Sequence, residues 1–162
     1  MTFSQESVRI RAMVEGDVDR VVRIAASLET APKWARAAYL AAIEADEIPR
    51  RIALVAEIAD ELVGFVVACV LAPQAELESI AVASEAQRRG IGRALLAALI
   101  GELKGVGVGE LDLEVRESNL GAAILYAGSG FCEVGRRRGY YRDPEEDAVL
   151  FRLILQALPI SN

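Results

Sequence analysis

Gln87-Arg88-Arg89-Gly90-Ile91-Gly92-Arg93 stands between an apolar run, Leu77 to Ala83, and an alanine- and leucine-rich segment of helical character, Ile91 to Leu103. Strand, glycine turn and helix in that order put the turn at a helix start, where backbone amides lack intrahelical acceptors and the macrodipole favours negative charge. Gly90 and Gly92 remove side chains that would hold an anion away from those amides, and Arg88, Arg89 and Arg93 add positive charge. The stretch reads as a phosphate cradle, although a glycine turn with exposed arginines also occurs where no ligand binds. It is not a dinucleotide fingerprint, because Leu95 stands where a third glycine belongs, and not a P-loop, because no Gly-Lys-Ser/Thr follows.

Outward from this turn the chain alternates strands and helices. Val8 to Val14 reads as a first strand, Asp17 as the cap of a helix carrying Val18, Val21, Val22, Ala25 and Leu28 at helical spacing, and Pro32 as the opening of a second helix near Lys33 to Ala45. Arg51 to Ala59 and Leu62 to Leu71, separated by Asp60-Glu61, read as an antiparallel hairpin, and Glu76 to Ala83 as the strand entering the glycine turn. Gly105 to Gly109 reads as the end of the third helix and a return loop, because a strand follows it. Glu110 to Arg116 is strand-like, Asn119 to Ser129 helical, and Phe131 to Arg138 and Asp147 to Leu155 supply two last strands. The expected fold is α/β, a central mixed, mostly antiparallel sheet flanked by about four helices. Residues 1–162 suit one domain, large enough to bury about 70% of its unfolded surface.

The 18 basic and 24 acidic residues leave a net charge of -6, which argues against general nucleic-acid or anionic-membrane binding. The longest charge-free apolar run ends at Ala75 and is too short to span a bilayer, and no basic-then-apolar signal pattern opens the chain, so a cytoplasmic location is expected. Cys69 and Cys132 have neither metal-site nor disulfide-framework spacing and are expected to be buried free thiols. With no histidine in the chain, acid–base chemistry falls to carboxylate, tyrosine or cysteine, and no metal is expected.

Gln87, Gly90 and Gly92 resemble the pyrophosphate signature Gln/Arg-x-x-Gly-x-Gly/Ala of the GCN5-related N-acetyltransferase (GNAT) superfamily. Leu113-Glu114-Val115-Arg116-Glu117-Ser118-Asn119, Leu125-Tyr126, Gly130-Phe131 and Tyr140-Tyr141 are similar to its RimI-type ribosomal-protein-alanine N-acetyltransferase branch. The resemblance runs from about residue 75 to about residue 155; the first 70 residues, which shape the acceptor side, match the branch poorly. Gly121, Ala123-Ile124 and Gly128-Ser129 depart from the branch in the helical segment, where each glycine costs about 1 kcal/mol relative to alanine.

The resemblance implies acetyl-coenzyme A as co-substrate. It implies Gln87, Arg88, Arg89, Gly90, Ile91, Gly92, Arg93 and Ala94 as its pyrophosphate site, with the backbone of Ile80, Ala81 and Val82 and the side chain of Asn119 on the pantetheine arm. Read as residues, Ile80 to Val82 are equally an ordinary paired strand and Asn119 equally a helix N-cap. The resemblance places Glu114 beside the incoming amine as general base and Tyr126 near the sulfur, on the cofactor, as general acid. The alternatives are a strand carboxylate paired with Arg116 or Arg138 and a core tyrosine beside Leu125 and Phe131. A covalent route through either cysteine lacks an activating neighbour. Tyr140 and Tyr141, with Trp34 opposite, are candidates to line the substrate; the alternatives are a hairpin pair covering sheet and a core tryptophan.

The expected function is therefore acetyl transfer to the N-terminal α-amine of a protein in a ternary complex, and the resemblance implies a ribosomal protein as the acceptor. An α-amine, with a pKa of about 8, is far more readily deprotonated than a lysine, near 10.4. Transfer to a small amine or lysine side chain, or coenzyme A binding without catalysis, are the competing readings.

Overall fold

The computed structural model describes residues 7–155, so both ends of the 1–162 unit lie outside the described residues. Seven strands form one sheet: β1 (Arg9–Ala12), β2 (Arg50–Ile58), β3 (Glu61–Leu71), β4 (Gln74–Val82), β5 (Glu110–Arg116), β6 (Cys132–Tyr141) and β7 (Glu146–Ile154). Their order is β1-β2-β3-β4-β5-β7-β6. The helices are α1 (Val18–Ser27), α2 (Arg36–Ile43), α3 (Ile91–Gly105) and α4 (Leu120–Gly128).

Every pairing is antiparallel except that of β4 with β5, which is parallel and spans only Gln74 to Glu76 against Glu110 to Asp112. Among the described residues the rest of β4 has no strand partner on its β5 side, and the two strands part. A bulge between Val67 and Ala68 leaves Glu78 unpaired, so Ser79 follows it onto the same face of β4.

Each face of the sheet covers its own core. Leu54, Val66, Leu77, Leu111, Leu113 and Phe151 pack under α3, whose Ile91, Leu95, Leu96, Leu99 and Leu103 recur at helical spacing. On the other face Val55, Phe65, Val67 and Ala81 meet Val18, Val21 and Ile24 of α1 and Tyr39 of α2. Burying such side chains contributes about 1.5–3 kcal/mol each. The helices α1 and α2 cover only the β2–β4 half of this face, which leaves the β5–β7 half open.

Several expectations need correction. The first strand is Arg9–Ala12, shorter than Val8 to Val14, because Met13 already turns into the second core. Asp17 is the N-cap residue of α1 as expected, but its side chain makes no cap bond: it ends a short 3-10 turn, and its carboxylate takes Arg11 Nη1 at 2.7 Å, Arg11 Nη2 at 2.8 Å and the Val14 amide at 2.9 Å. The second helix starts at Arg36, since Pro32 and Lys33 lie in an irregular segment whose ammonium bonds the carbonyls of Ala25 and Leu28 at the end of α1. Neither cysteine is fully buried: Cys69 is half-buried where β3 runs out beyond the cover of α1 and α2, and Cys132 is exposed on the edge strand β6. Among the described residues no helix is long and apolar enough to cross a membrane.

Candidate active site

The glycine turn opens α3 as its sequence suggests. Arg88 and Gly90 both adopt left-handed conformations, φ +64° and +78°, and Gly90 is the N-cap without a side-chain cap bond. The Ala94 amide bonds the Gly90 carbonyl at 3.0 Å, so the amides of Ile91, Gly92 and Arg93 precede the first helical bond and have no helical acceptor. Gln87, Arg88, Arg89, Gly90 and Arg93 are exposed around them. Gln87 Nε2 donates to the Val82 carbonyl at 3.1 Å, tying the turn to the end of β4. This array of free amides and guanidinium groups fits the pyrophosphate of a coenzyme.

Two of the cradle residues serve the protein itself. Ile91 is a core side chain, leaving only its backbone for a ligand. Gly92 lies where α3 and α4 approach beside the parted strands: a Cβ there would meet Leu125 Cδ2 of α4 at 3.3 Å, a contact that the end of the Leu125 side chain would have to ease.

On β4, Ile80, Ala81 and Val82 pair with Val66, Phe65 and Gly64 of β3, and their opposite edge, beyond Glu76, has no strand partner. That edge offers the amides and carbonyls that a pantetheine arm takes. Across the gap Asn119 caps α4, its Oδ1 accepting the Ala122 amide at 3.2 Å. Tyr126 follows two turns later, 6% exposed, its ring 5.5 Å from that of Phe131 and 6.1 Å from Phe151. Burial pushes its phenol well above the ordinary value, with Tyr141 adding to the shift. The hydroxyl therefore stays a proton donor across the working pH range.

The open half of the α1–α2 face holds a groove of about 350 Å³, lined among others by Cys69, Glu76, Asp112, Glu114, Arg137 and Arg152. Leu111, Leu113 and Val115 are buried toward α3, so Asp112 and Glu114 project into this groove. Glu114 pairs with Arg137 of β6 at 3.3 Å, not with Arg116 or Arg138. The bulge between Glu133 and Gly135 sets that choice, because it puts Gly135 opposite Leu150 and hence Arg137, two residues on, onto Glu114's face. Arg116 goes instead to Glu146 at 3.3 Å and lies 4.4 Å from the Tyr141 ring centroid.

Tyr140 and Tyr141 stand edge to face, centroids 5.2 Å apart, at the end of β6. The Glu114 carboxylate, by hydrogen bonding and by charge, raises the Tyr140 phenol above its ordinary value. Glu114 and the tyrosine pair are thus brought together. Trp34 is not among the groove-lining residues; it leans on Tyr39, centroids 5.2 Å apart, at the margin of the α1–α2 core. Sequence reading missed Glu76, Asp112, Arg137 and Arg152. The signal was the alternation of Glu76 and Glu78 and of Glu110, Asp112 and Glu114, two acidic rows that the sheet sets side by side where Glu76 meets Asp112.

Comparison with known proteins agrees with this geometry. The profile of the Acetyltransferase (GNAT) family matches residues 20–131. The [ribosomal protein bS18]-alanine N-acetyltransferase of Escherichia coli strain K12 is 47% identical over 103 residues, a match covering 62% of this chain and 66% of that enzyme, just under two thirds of its length. The N-alpha-acetyltransferase RimI of Mycobacterium tuberculosis is 34% identical over 157 residues, 94% of this chain and 96% of the relative. The crystal structure of the ribosomal-protein-S18-alanine N-acetyltransferase from Escherichia coli superimposes with a TM-score of 0.82 at 31% identity, covering 96% of this chain and 99% of that one. The chain belongs to the acetyltransferase (GNAT) family.

Proposed function

We propose that this protein transfers the acetyl group of acetyl-coenzyme A to the N-terminal α-amine of a protein, of the ribosomal-protein-alanine type, by direct attack in a ternary complex. The observation that carries the reading is the parting of β4 and β5 beyond Glu76 and Asp112, which opens the sheet between an anion-binding helix start and a groove holding Glu114. The relatives' names, a bS18-alanine N-acetyltransferase and an N-alpha-acetyltransferase, support the acceptor class.

When bound, the coenzyme supplies a thioester, an acyl group activated toward amines. The free amides of Ile91 to Arg93, with Arg88, Arg89 and Arg93, hold the pyrophosphate. The unpaired edge of Ile80 to Val82 and the side chain of Asn119 orient the arm, while Gly92 and Leu125 close the wall behind it. Glu114, aimed by Arg137 and Tyr140, accepts the proton that the amine nitrogen sheds as the amide forms. Tyr126 donates the proton that the departing sulfur needs. Tyr140 and Tyr141 flank the first residues of the peptide.

An α-amine with a pKa of about 8 is partly neutral at pH 7, whereas lysine near 10.4 is almost wholly charged, so this groove suits the former. The test is acetyl transfer to short peptides beginning Ala, Ser, Met or Gly, each with a free and a blocked α-amine, read by mass spectrometry. Transfer confined to free termini is expected; transfer persisting on blocked peptides overturns the N-terminal reading.

A further inference from the structure

The two hairpin tyrosines stand under different arginines. Arg137, already paired with Glu114, lies 5.4 Å from the Tyr140 ring centroid. Arg116 lies closer to Tyr141, at 4.4 Å, and is not among the residues that line the groove.

The backbone alone holds this end of β6 loosely. It is the edge strand of the sheet, and between Arg137 and Tyr141 its residues Arg138, Gly139 and Tyr140 stand opposite Asp147 alone, so the ladder is interrupted at the tyrosines. Side chains take over there. Asp147 Oδ1 accepts the Gly139 amide at 2.8 Å. Arg116, the half-buried last residue of β5, reaches the turn of residues 142–145 that joins β6 to β7. Its Nη1 donates to the Pro144 carbonyl at 3.2 Å and to the Glu146 carboxylate at 3.3 Å, and its Nη2 donates to the Arg142 carbonyl at 3.3 Å. The second oxygen of Glu146 accepts the Ser118 amide at 2.5 Å, which ties the same hairpin to the turn that leads into α4.

A guanidinium suits this place because its planar fork can serve two carbonyls and a carboxylate while its face covers a ring. We infer that Arg116 is a positioning residue for the acceptor: it fixes the β6–β7 turn and the Tyr141 ring, and so sets where the first residues of the peptide are held. The inference rests on the reading of Tyr140 and Tyr141 as the acceptor's flanking pair.

The same geometry separates the acceptor side from the cofactor side. Arg116 gives α4 only its backbone carbonyl, which accepts the Asn119 amide at 2.9 Å and is kept in any substitution. The cap bond of Asn119 and the bond of Glu146 to Ser118 do not involve the guanidinium either. Loss of the side chain therefore falls on the hairpin.

The test measures kcat, KM for a free-amine alanyl peptide and the dissociation constant of acetyl-coenzyme A in the full-length wild type, Arg116→Met and Arg116→Lys. Arg116→Met keeps an apolar stem and removes the fork; peptide KM should rise about tenfold while kcat and cofactor affinity stay within about threefold. Arg116→Lys keeps the charge beside Glu146 without spanning both carbonyls, and its peptide KM should fall between the two. In a Tyr141→Leu background Arg116→Met should raise KM little further, because both changes act through one ring.

A wild-type peptide KM in Arg116→Met, an equal loss of cofactor affinity, or fully additive losses with Tyr141→Leu overturns the assignment and leaves N-terminal acetylation standing. Should Arg116→Met not fold, Arg116→Lys decides in the same way: a raised peptide KM alone supports the assignment and an unchanged one overturns it. A wild type inert on every free-amine peptide overturns the N-terminal reading, and this assignment with it.

Discussion

Glu76 and Asp112 are the last residues across which β4 and β5 face each other, and beyond them the only parallel pairing among the described strands opens. A sheet that stays closed has no unsatisfied edge in its middle. Here the edge of β4 is left free next to the α3 start, and the same opening brings the groove carboxylates within reach of whatever enters between the strands. The free edge of β4 and the groove carboxylates meet where backbone pairing stops.

Tyr126→Phe should lower turnover about a hundredfold while cofactor affinity changes little. The ring packing on Phe131 and Phe151 is retained, so thermal stability should stay close to wild type. Steady-state kinetics with a cofactor-binding titration checks this; full retained activity removes Tyr126 from the proton path.

The two cradle glycines should respond differently. Gly90→Ala forces a side chain into a left-handed N-cap at φ +78°, costing about 1–2 kcal/mol and weakening coenzyme binding. Gly92→Ala meets only the flexible end of Leu125 and gains helix propensity, so its net effect should stay within about 1 kcal/mol. Calorimetric binding and thermal melts of the two variants separate backbone need from packing need; equal losses would contradict the distinction.

Arg11 joins Asp17 at 2.7 Å and Glu57 at 2.6 Å, linking β1, the start of α1 and β2. Arg11 holds the Asp17 carboxyl below its ordinary value, chiefly by hydrogen bonding. The sign follows: with the folded value depressed, this stabilisation is full above the unfolded aspartate value of about 3.9 and is lost as pH falls below it. Arg11→Met should cost about 2–3 kcal/mol at pH 7, discounted for the partial exposure of the pair, and should flatten the acid dependence. Urea midpoints at pH 7 and pH 3 give the measurement.

The β2–β3 hairpin turns through Ala59 and Asp60, both non-glycine residues with left-handed φ, +50° and +64°. Asn-Gly is the favoured pair for such a turn. Replacing both, Ala59→Asn with Asp60→Gly, should stabilise by about 1 kcal/mol, or about 2–4 °C in Tm, without touching the groove. Unchanged melting would mean that the turn carries no such strain.

The element order was legible because it rests on local chemistry. The periodicity of α3, the hairpin on either side of residue 60, the glycine turn and the strand Glu110 to Arg116 are all written in spacings of two to four residues. The boundaries that failed did so where a long-range partner outbid a local signal. Asp17 looks like a helix cap until Arg11 claims its carboxylate, and Pro32 looks like a helix start until Lys33 reaches the end of α1.

By itself the sequence determined the α/β class, the glycine turn at Gly90 that opens α3 and the strand and helix that carry Glu114 and Tyr126. Only the tertiary structure decided which side chains share the groove. The β4–β5 register puts Glu76 beside Asp112, the bulge after Glu133 sets which residues of β6 face Glu114, selecting Arg137 over its neighbours, and the extent of helix cover decided that Cys69 and Glu76 border open space. The physical reason is range: register and bulge depend on pairing between segments far apart in the chain, and a one-residue slip moves every side chain to the opposite face.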